Sequence, residues 1–290
     1  MSRQLFVLFT MDVEPSSSDA GTSGPRSDEA GMHAAREYHE VLDKWGYRPT
    51  YFVHPDLARA QGAFFCERKN RGAALGLHLH PTKFAPARQT CEIGGLSAGR
   101  QREILETAAA MFEQGIGYRP SLFRPGCFSA NDMTYTVLAE LGFSGCSVSI
   151  PGRIWPDRFC VWAGAYPYAH FAHAAFRQQR GDLPFVDIPL SVDNSGPLRY
   201  NPVGFYHYPD LRPGGMYQEQ DEVAYDRRTM LSNILKSIAS DDPPLKTLVI
   251  DVHNDRDFTS PDSPAACHLR TVLEGIEEAC AEVYLAPLPA

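Results

Sequence analysis

Hydrophobic residues along this chain fall into two alternating patterns. Short, nearly unbroken apolar runs such as Leu5-Phe6-Val7-Leu8-Phe9 are separated by stretches in which apolar residues recur every three or four positions. The first pattern reads as a strand buried on both faces and the second as an amphipathic helix. Strands are expected at 5–11, 49–53, 73–80, 121–124, 143–148, 185–190, 247–252 and 282–285. Helices are expected at 33–45, 56–71, 98–114, 131–141, 221–239 and 263–280. Gly46 is placed to stop the first helix. Pro81, lacking an N–H, ends the third strand's ladder. Regularity fades over 151–180, where aromatics are dense, and 194–220 reads as a long loop rich in Pro, Gly and Tyr. Loops of that length tend to be lids or binding walls.

Seven or eight βα units, with no linker, repeat or low-complexity tract, predict one α/β domain over residues 1–290. The order suits either a barrel or an open doubly wound sheet. In both, sites form at the carboxyl ends of strands. Asp12, Glu14, His78, His80, Arg124, Asp187, Asp251 and His253 all fall there.

In a strand, residues i and i+2 share a face, so Asp12 projects with Glu14 and His78 with His80. Two imidazoles and one carboxylate would leave a divalent ion with residual positive charge, which lowers the pKa of bound water toward about 7. A second carboxylate ligand would neutralise the centre. Glu14, with the longer arm, is therefore expected as ligand beside His78 and His80, and Asp12 as general base, although the two could exchange roles. Arg124 could hold Asp12 by a bidentate ion pair and keep it ionised. His253 is suited to protonate a departing amine. Asp187 and Asp251 are both candidates to orient it, and Asp187, on a different strand, has the freer geometry. His54 reads as a solvated loop histidine, with pocket lining as the alternative. Trp155, Trp162, Tyr206 and Tyr208 could stack on sugar faces, although packing is the simpler reading. Cys127 has no specified base, so a nucleophilic role is discounted.

Composition narrows the function. The 290 residues are 43% hydrophobic, enough for a full core, and the formal charge is −8 without a Lys/Arg cluster. Nucleic acid and anionic membranes are therefore poor partners. No apolar run reaches the roughly 18–20 residues of a membrane span, so no integral membrane segment is expected. The first residues read as a strand rather than a signal peptide. Seven scattered cysteines without a Cys-x-x-Cys point to reduced thiols and a cytoplasmic setting.

The order of motifs resembles that of the polysaccharide deacetylase superfamily (NodB homology, carbohydrate esterase family 4). Thr10-Met11-Asp12-Val13-Glu14 resembles its Thr-Phe-Asp-Asp-Gly motif, and Pro49-Thr50-Tyr51-Phe52-Val53 its Ala-Thr-Phe-Phe-Val strand. Leu75-Gly76-Leu77-His78 resembles its Ile-Gly-x-His, Phe123-Arg124-Pro125 its Arg-Pro-Pro, and 249–253 its late Leu-His motif. These span residues 5–253. Two positions depart from the pattern. Val13 replaces the second aspartate, passing the ligand role to Glu14, and Thr82 stands where the second histidine usually lies, passing that role to His80.

The resemblance implies a distorted (β/α)7–8 barrel of the NodB-homology type. It implies Asp12 as base, His78 as ligand, Arg124 bracing the base, His253 as acid and Asp187 tuning that histidine. It also implies hydrolysis of an N-acyl amide, acetyl or formyl, on an amino sugar, with one divalent metal: zinc first, cobalt, nickel or manganese as substitutes. The sequence looks closest to divergent cytoplasmic members of bacterial surface-polysaccharide (O-antigen) assembly. A non-sugar amide, as in allantoinase-like members, is the alternative substrate. A non-catalytic carbohydrate-binding relative is the alternative of another class. The sequence leaves the oligomeric state open.

Overall fold

A computed structural model describes residues 3–16, 24–201, 203–212 and 226–289. The opening apolar run is strand β1 (Gln4–Val13), buried on both faces over its second half. Helix α1 (Asp28–Lys44) starts at Ser27, whose side chain accepts from Ala30 N, with Asp28 and Glu29 in its first turn. Then come β2 (Pro49–Val53), α2 (Pro55–Ala60), α3 (Gly62–Asn70) and β3 (Ala74–Leu79). Helix α4 (Ala98–Ile116) is capped by Ser97 and stopped by Gly117 at φ +89°. It leads to β4 (Leu122–Pro125), α5 (Thr134–Glu140) and β5 (Gly145–Cys146).

The irregular middle of the chain contains short strands β6 (Ile154–Trp155), β7 (Cys160–Val161), β8 (His170–Phe171), β9 (Val186–Asp187), β10 (Arg199–Asn201) and β11 (Phe205–His207). The chain finishes with α6 (Arg227–Asp241), β12 (Lys246–His253), α7 (Pro264–Glu282) and β13 (Ala286–Pro289).

The main sheet runs β12-β1-β2-β3-β4-β5-β9-β8, parallel except for β8 against β9. It forms a half-barrel rather than a closed ladder. Its ends are tied by the segment after β9, where Ser191 N donates to Val249 O (3.3 Å) and Val249 N to Ser191 Oγ (2.9 Å). A smaller antiparallel sheet, β10-β11-β6-β7, is built from the segments that read as irregular or loop.

Three sequence expectations change. The helix expected at 56–71 breaks at Gln61 into α2 and α3, where Gly62 lies against the backbone of Gly115 on α4 too closely for any Cβ. The last strand lies not at 282–285 but at 286–289, because α7 continues to Glu282. The loop expected over 194–220 carries β10 and β11, while its residues 213–220 and the start of the expected helix at 221–225 lie outside the described residues.

Candidate metal centre and catalytic cluster

Strand register puts the candidate residues on one face. Thr10 pairs with Asp251 and Asp12 with His253. Asp12 also pairs with Phe52, Phe52 with Gly76, and His78 with Arg124. Paired residues in a sheet share a face, so these side chains line the inner surface of the half-barrel at the strands' carboxyl ends. Glu14 and His80 extend the same alternation one step beyond β1 and β3. Gly76 leaves room for the Phe52 ring, since a Cβ there would lie 2.8 Å from its Cδ1. Glu14's backbone is held by Asn254, which accepts from Glu14 N and donates to Glu14 O, both at 3.0 Å.

Glu14 Oε1 stands 3.7 Å from His78 Nε2, 3.3 Å from His80 Nε2 and 3.7 Å from His253 Nε2. Glu14, His78 and His80 are all buried. His78 Nδ1 donates to the Arg124 carbonyl (3.0 Å), which leaves the Nε2 lone pair free; that buried nitrogen has no hydrogen-bond partner. His80 Nδ1 lies 3.1 Å from Glu92 Oε1, which also accepts from Thr82 Oγ1 at 2.9 Å. The other Glu14 oxygen is ion-paired with Lys83 Nζ. A Cβ at Gly126 would overlap the His80 ring, so glycine there makes room for the imidazole.

These residues fit a divalent ion. Ligands about 2.0–2.1 Å from a tetrahedral centre stand roughly 3.3–3.4 Å apart, close to the separations seen here. Each histidine has its remote nitrogen engaged by an oxygen, as metal-bound imidazoles do. Burial would raise Glu14, yet His80, His78 and Lys83 hold its carboxyl well below the usual range. Burial would lower His80, but the Glu92 and Glu14 carboxylates bring it up to about 9. That proton occupies the place a cation would take.

Beside this set lies a second cluster. Arg124 Nη1 is 3.0 Å from Asp12 Oδ1, 2.5 Å from Asp251 Oδ1 and 2.8 Å from Thr10 Oγ1, while Nη2 donates to Ser147 Oγ at 2.9 Å. The expected bidentate grip on Asp12 is therefore replaced by one nitrogen shared between two aspartates. Burial pushes both carboxyls up. For Asp12, His78 and Arg124 reverse that and hold it below the ordinary range. Asp251 stays raised, because the Asp12 charge beside it offsets part of Arg124's pull. Asp12 is thus the more acidic member of the pair. His253 Nε2 stands 4.0 Å from Asp12 Oδ2, and its side chain, 27% exposed, is the most open of the group.

Asp187 is not the carboxylate gathered with His253. Its oxygens accept from Val148 N (3.0 Å), Tyr135 OH (2.8 Å) and Ser149 Oγ (2.5 Å), on the β5–β9 side of the sheet. Asp251, two residues before His253 on the same strand, joins it and Asp12 instead. His54 also departs from expectation. It is fully buried, and burial, followed by the charges of His78 and His80, drives it well below the normal imidazole range. Trp162 is buried and donates to Phe128 O (2.7 Å), Trp155 stacks on Phe205, and Tyr206 is exposed. Cys127 lies near His80 and Glu92, and burial pushes its thiol far up, away from nucleophilic use.

Glu92, Lys83, Asn254 and Ser147 escaped the sequence reading. Lys83 had a signal: Pro81 opens a turn closed by Lys83 N on His80 O (2.9 Å), which folds the lysine back toward Glu14. Glu92 had none, because it arrives on an irregular loop.

The parallel half-barrel matches the fold of NodB-type deacetylases. Over 97% of this chain and 86% of the other, it matches a Pseudomonas aeruginosa protein described as a polysaccharide deacetylase, at 13% identity and TM-score 0.57. A Mycobacterium smegmatis protein so described matches over 96% of this chain and 84% of its own, at 18% identity and TM-score 0.56. The Puue allantoinase matches over 97% and 85%, at 12% identity and TM-score 0.56. No family model matches the chain, and no curated protein sequence matches it.

Proposed function

We propose that this protein is a metal-dependent hydrolase that removes an N-acyl group, acetyl or formyl, from an amino sugar. The observation that carries the reading is the buried convergence of Glu14 Oε1 with the Nε2 atoms of His78 and His80, beside an Asp12 hydrogen-bonded to Arg124. A divalent ion held by those three ligands, zinc by its donor set, would polarise the amide carbonyl and acidify the attacking water. Asp12 takes the proton from that water as general base. Arg124, 3.0 Å from its Oδ1, favours the ionised carboxylate that this role needs. His253, the most open member of the cluster, hands a proton to the departing amine, with Asp251 as its nearby carboxylate. Six of the cysteines are free thiols, and no helix among the described residues is long and apolar enough to cross a membrane. The cytoplasmic role in surface-polysaccharide assembly rests on the resemblance of the motifs within residues 5–253.

The test is a panel of N-acetyl and N-formyl amino sugars together with ureides, assayed with zinc-loaded protein for released acetate, formate or amine. Amino-sugar turnover is expected. Asp12→Asn should retain metal yet lose about 100-fold or more in kcat, the usual worth of a general base. Unchanged turnover in Asp12→Asn would remove it from that role. Ureide turnover alone would move the substrate to the non-sugar amides.

A further inference from the structure

Arg153 is a buried cation whose one carboxylate partner among the described residues, Asp210, is not within hydrogen-bonding distance. It ends the turn before β6, where Gly152 adopts φ +79°, and its backbone is fixed by Arg153 N on Ile150 O (3.1 Å) and Trp162 N on Arg153 O (2.7 Å). The side chain is 4% exposed and its guanidinium lies near the rings of Phe128 and Phe205, 5.7 and 5.3 Å from their centroids. Its Nε is buried without a partner, and among the described residues no hydrogen bond leaves the guanidinium. The carboxylate paired with it, Asp210, stands at 3.8 Å, beyond hydrogen-bonding range.

Asp210 is committed elsewhere. It takes Arg212 through both oxygens, Nε to Oδ1 at 2.8 Å and Nη2 to Oδ2 at 2.7 Å. Asp210 is therefore shared by the buried Arg153 and the part-buried Arg212, one carboxylate between two guanidiniums. Burial and the Arg212 charge pull Arg153 down only to about 10, so it is cationic at neutral pH. His207, on the same cluster, also keeps a buried Nε2 without a partner. A buried charge without a hydrogen-bonded partner is costly, and aromatic rings replace only part of its lost solvation.

This cluster adjoins the catalytic one. Arg124 and Arg153 both lie near the Phe128 ring, at 5.5 and 5.7 Å from its centroid, and Phe128 is held at φ 54°. Asp12 and Asp251 lie close enough for their charges to act on Arg212.

We propose that Arg153, backed by the Arg212–Asp210 pair, is a subsite for an anionic oxygen group of the substrate, a phosphoryl or a carboxylate. The molecule hydrolysed is then a charged small sugar derivative rather than a neutral polymer. This rests on the hydrolase reading of the neighbouring cluster, but the subsite can be tested without turnover. A guanidinium fork held rigidly with free N–H donors suits either anion.

The full-length protein as purified is titrated with inorganic phosphate and, separately, acetate, by calorimetry and thermal shift, alongside Arg153→Met. One of the two anions is expected to bind and raise the melting temperature of the wild type, and to bind at least ten-fold more weakly to Arg153→Met. The tighter anion identifies the group. Without anion, Arg153→Met is expected to melt at or above the wild-type temperature, because methionine fills the space and removes the buried charge. Equal binding to both proteins, as an ion held elsewhere would give, overturns the proposal, as does binding to neither. A lower melting temperature for the variant with no loss of anion binding would make Arg153 a structural cation between two rings. If the subsite holds but no substrate turns over, the failure belongs to the hydrolase reading and not to the subsite.

Discussion

His80 reaches its position through the residues around it. Pro81 ends the ladder just past β3, Gly126 leaves room for the ring, and Glu92 takes the remote nitrogen at 3.1 Å. Histidine and glutamate types were readable from the alternation of Leu77-His78-Leu79-His80 and of Asp12-Val13-Glu14, because inward-facing parity in a strand follows from sequence alone. Their supporting atoms were not, because Glu92 and Asn254 come from loops whose path no period encodes. Glu92→Gln keeps an oxygen for His80 but removes the charge. It is expected to weaken divalent-metal affinity about 10-fold or more, the usual cost of losing such a partner, as measured by chelator competition. Unchanged affinity would mean that Glu92 does not tune His80. Arg124 illustrates the same limit. Its place on the inner face was legible, but its sharing between Asp12 and Asp251 depends on three strands meeting in register.

At the scale of elements, long periodic segments were read nearly to their ends. The helix expected at 98–114 runs Ala98–Ile116, and the strand at 49–53 is Pro49–Val53. Failures occurred where a tertiary contact decided the local geometry. Nothing in 56–71 announces a break at Gln61, which follows from how tightly Gly62 and Gly115 bring backbones together. The terminal strand carries Pro287 and Pro289, which lack an N–H for a ladder. They are tolerated because β13 pairs only with the first half of β1, as an added edge strand. Asp187, one of the two candidates to orient His253, lies apart from it for a similar reason. Strand β9 is only two residues long, and its aspartate is taken up by β5's neighbours and Tyr135 rather than by β12.

Across the whole molecule, the half-barrel gathers titratable groups into its interior, and this sets its response to pH. His39, His54 and His268 are buried, and burial lowers all three, His268 to about 3 while its Nε2 donates to Leu211 O at 2.7 Å. A histidine whose folded pKa is depressed contributes stability that is present above the unfolded value of about 6.5 and is lost as pH falls toward the folded value. His80 acts in the opposite sense and outside that window, since its raised pKa costs stability only as pH climbs from about 6.5 to about 9. In chelator, urea unfolding at pH 7, 6 and 5 should therefore show stability falling with acid. The slope of wild type should exceed that of His268→Gln by up to about 1.4 kcal/mol per pH unit. Parallel slopes would show that His268 titrates freely in the folded state.

The central claim is that Glu14, His78 and His80 form the metal centre, with Asp12 held off it by Arg124. The most direct measurement is anomalous diffraction from crystals grown with zinc. One ion per chain is predicted, with Glu14 Oε1 and the Nε2 atoms of His78 and His80 at about 2.0–2.2 Å. An ion seated on Asp12, Asp251 and His253, or the absence of an ion from both clusters at saturating zinc, would contradict the account.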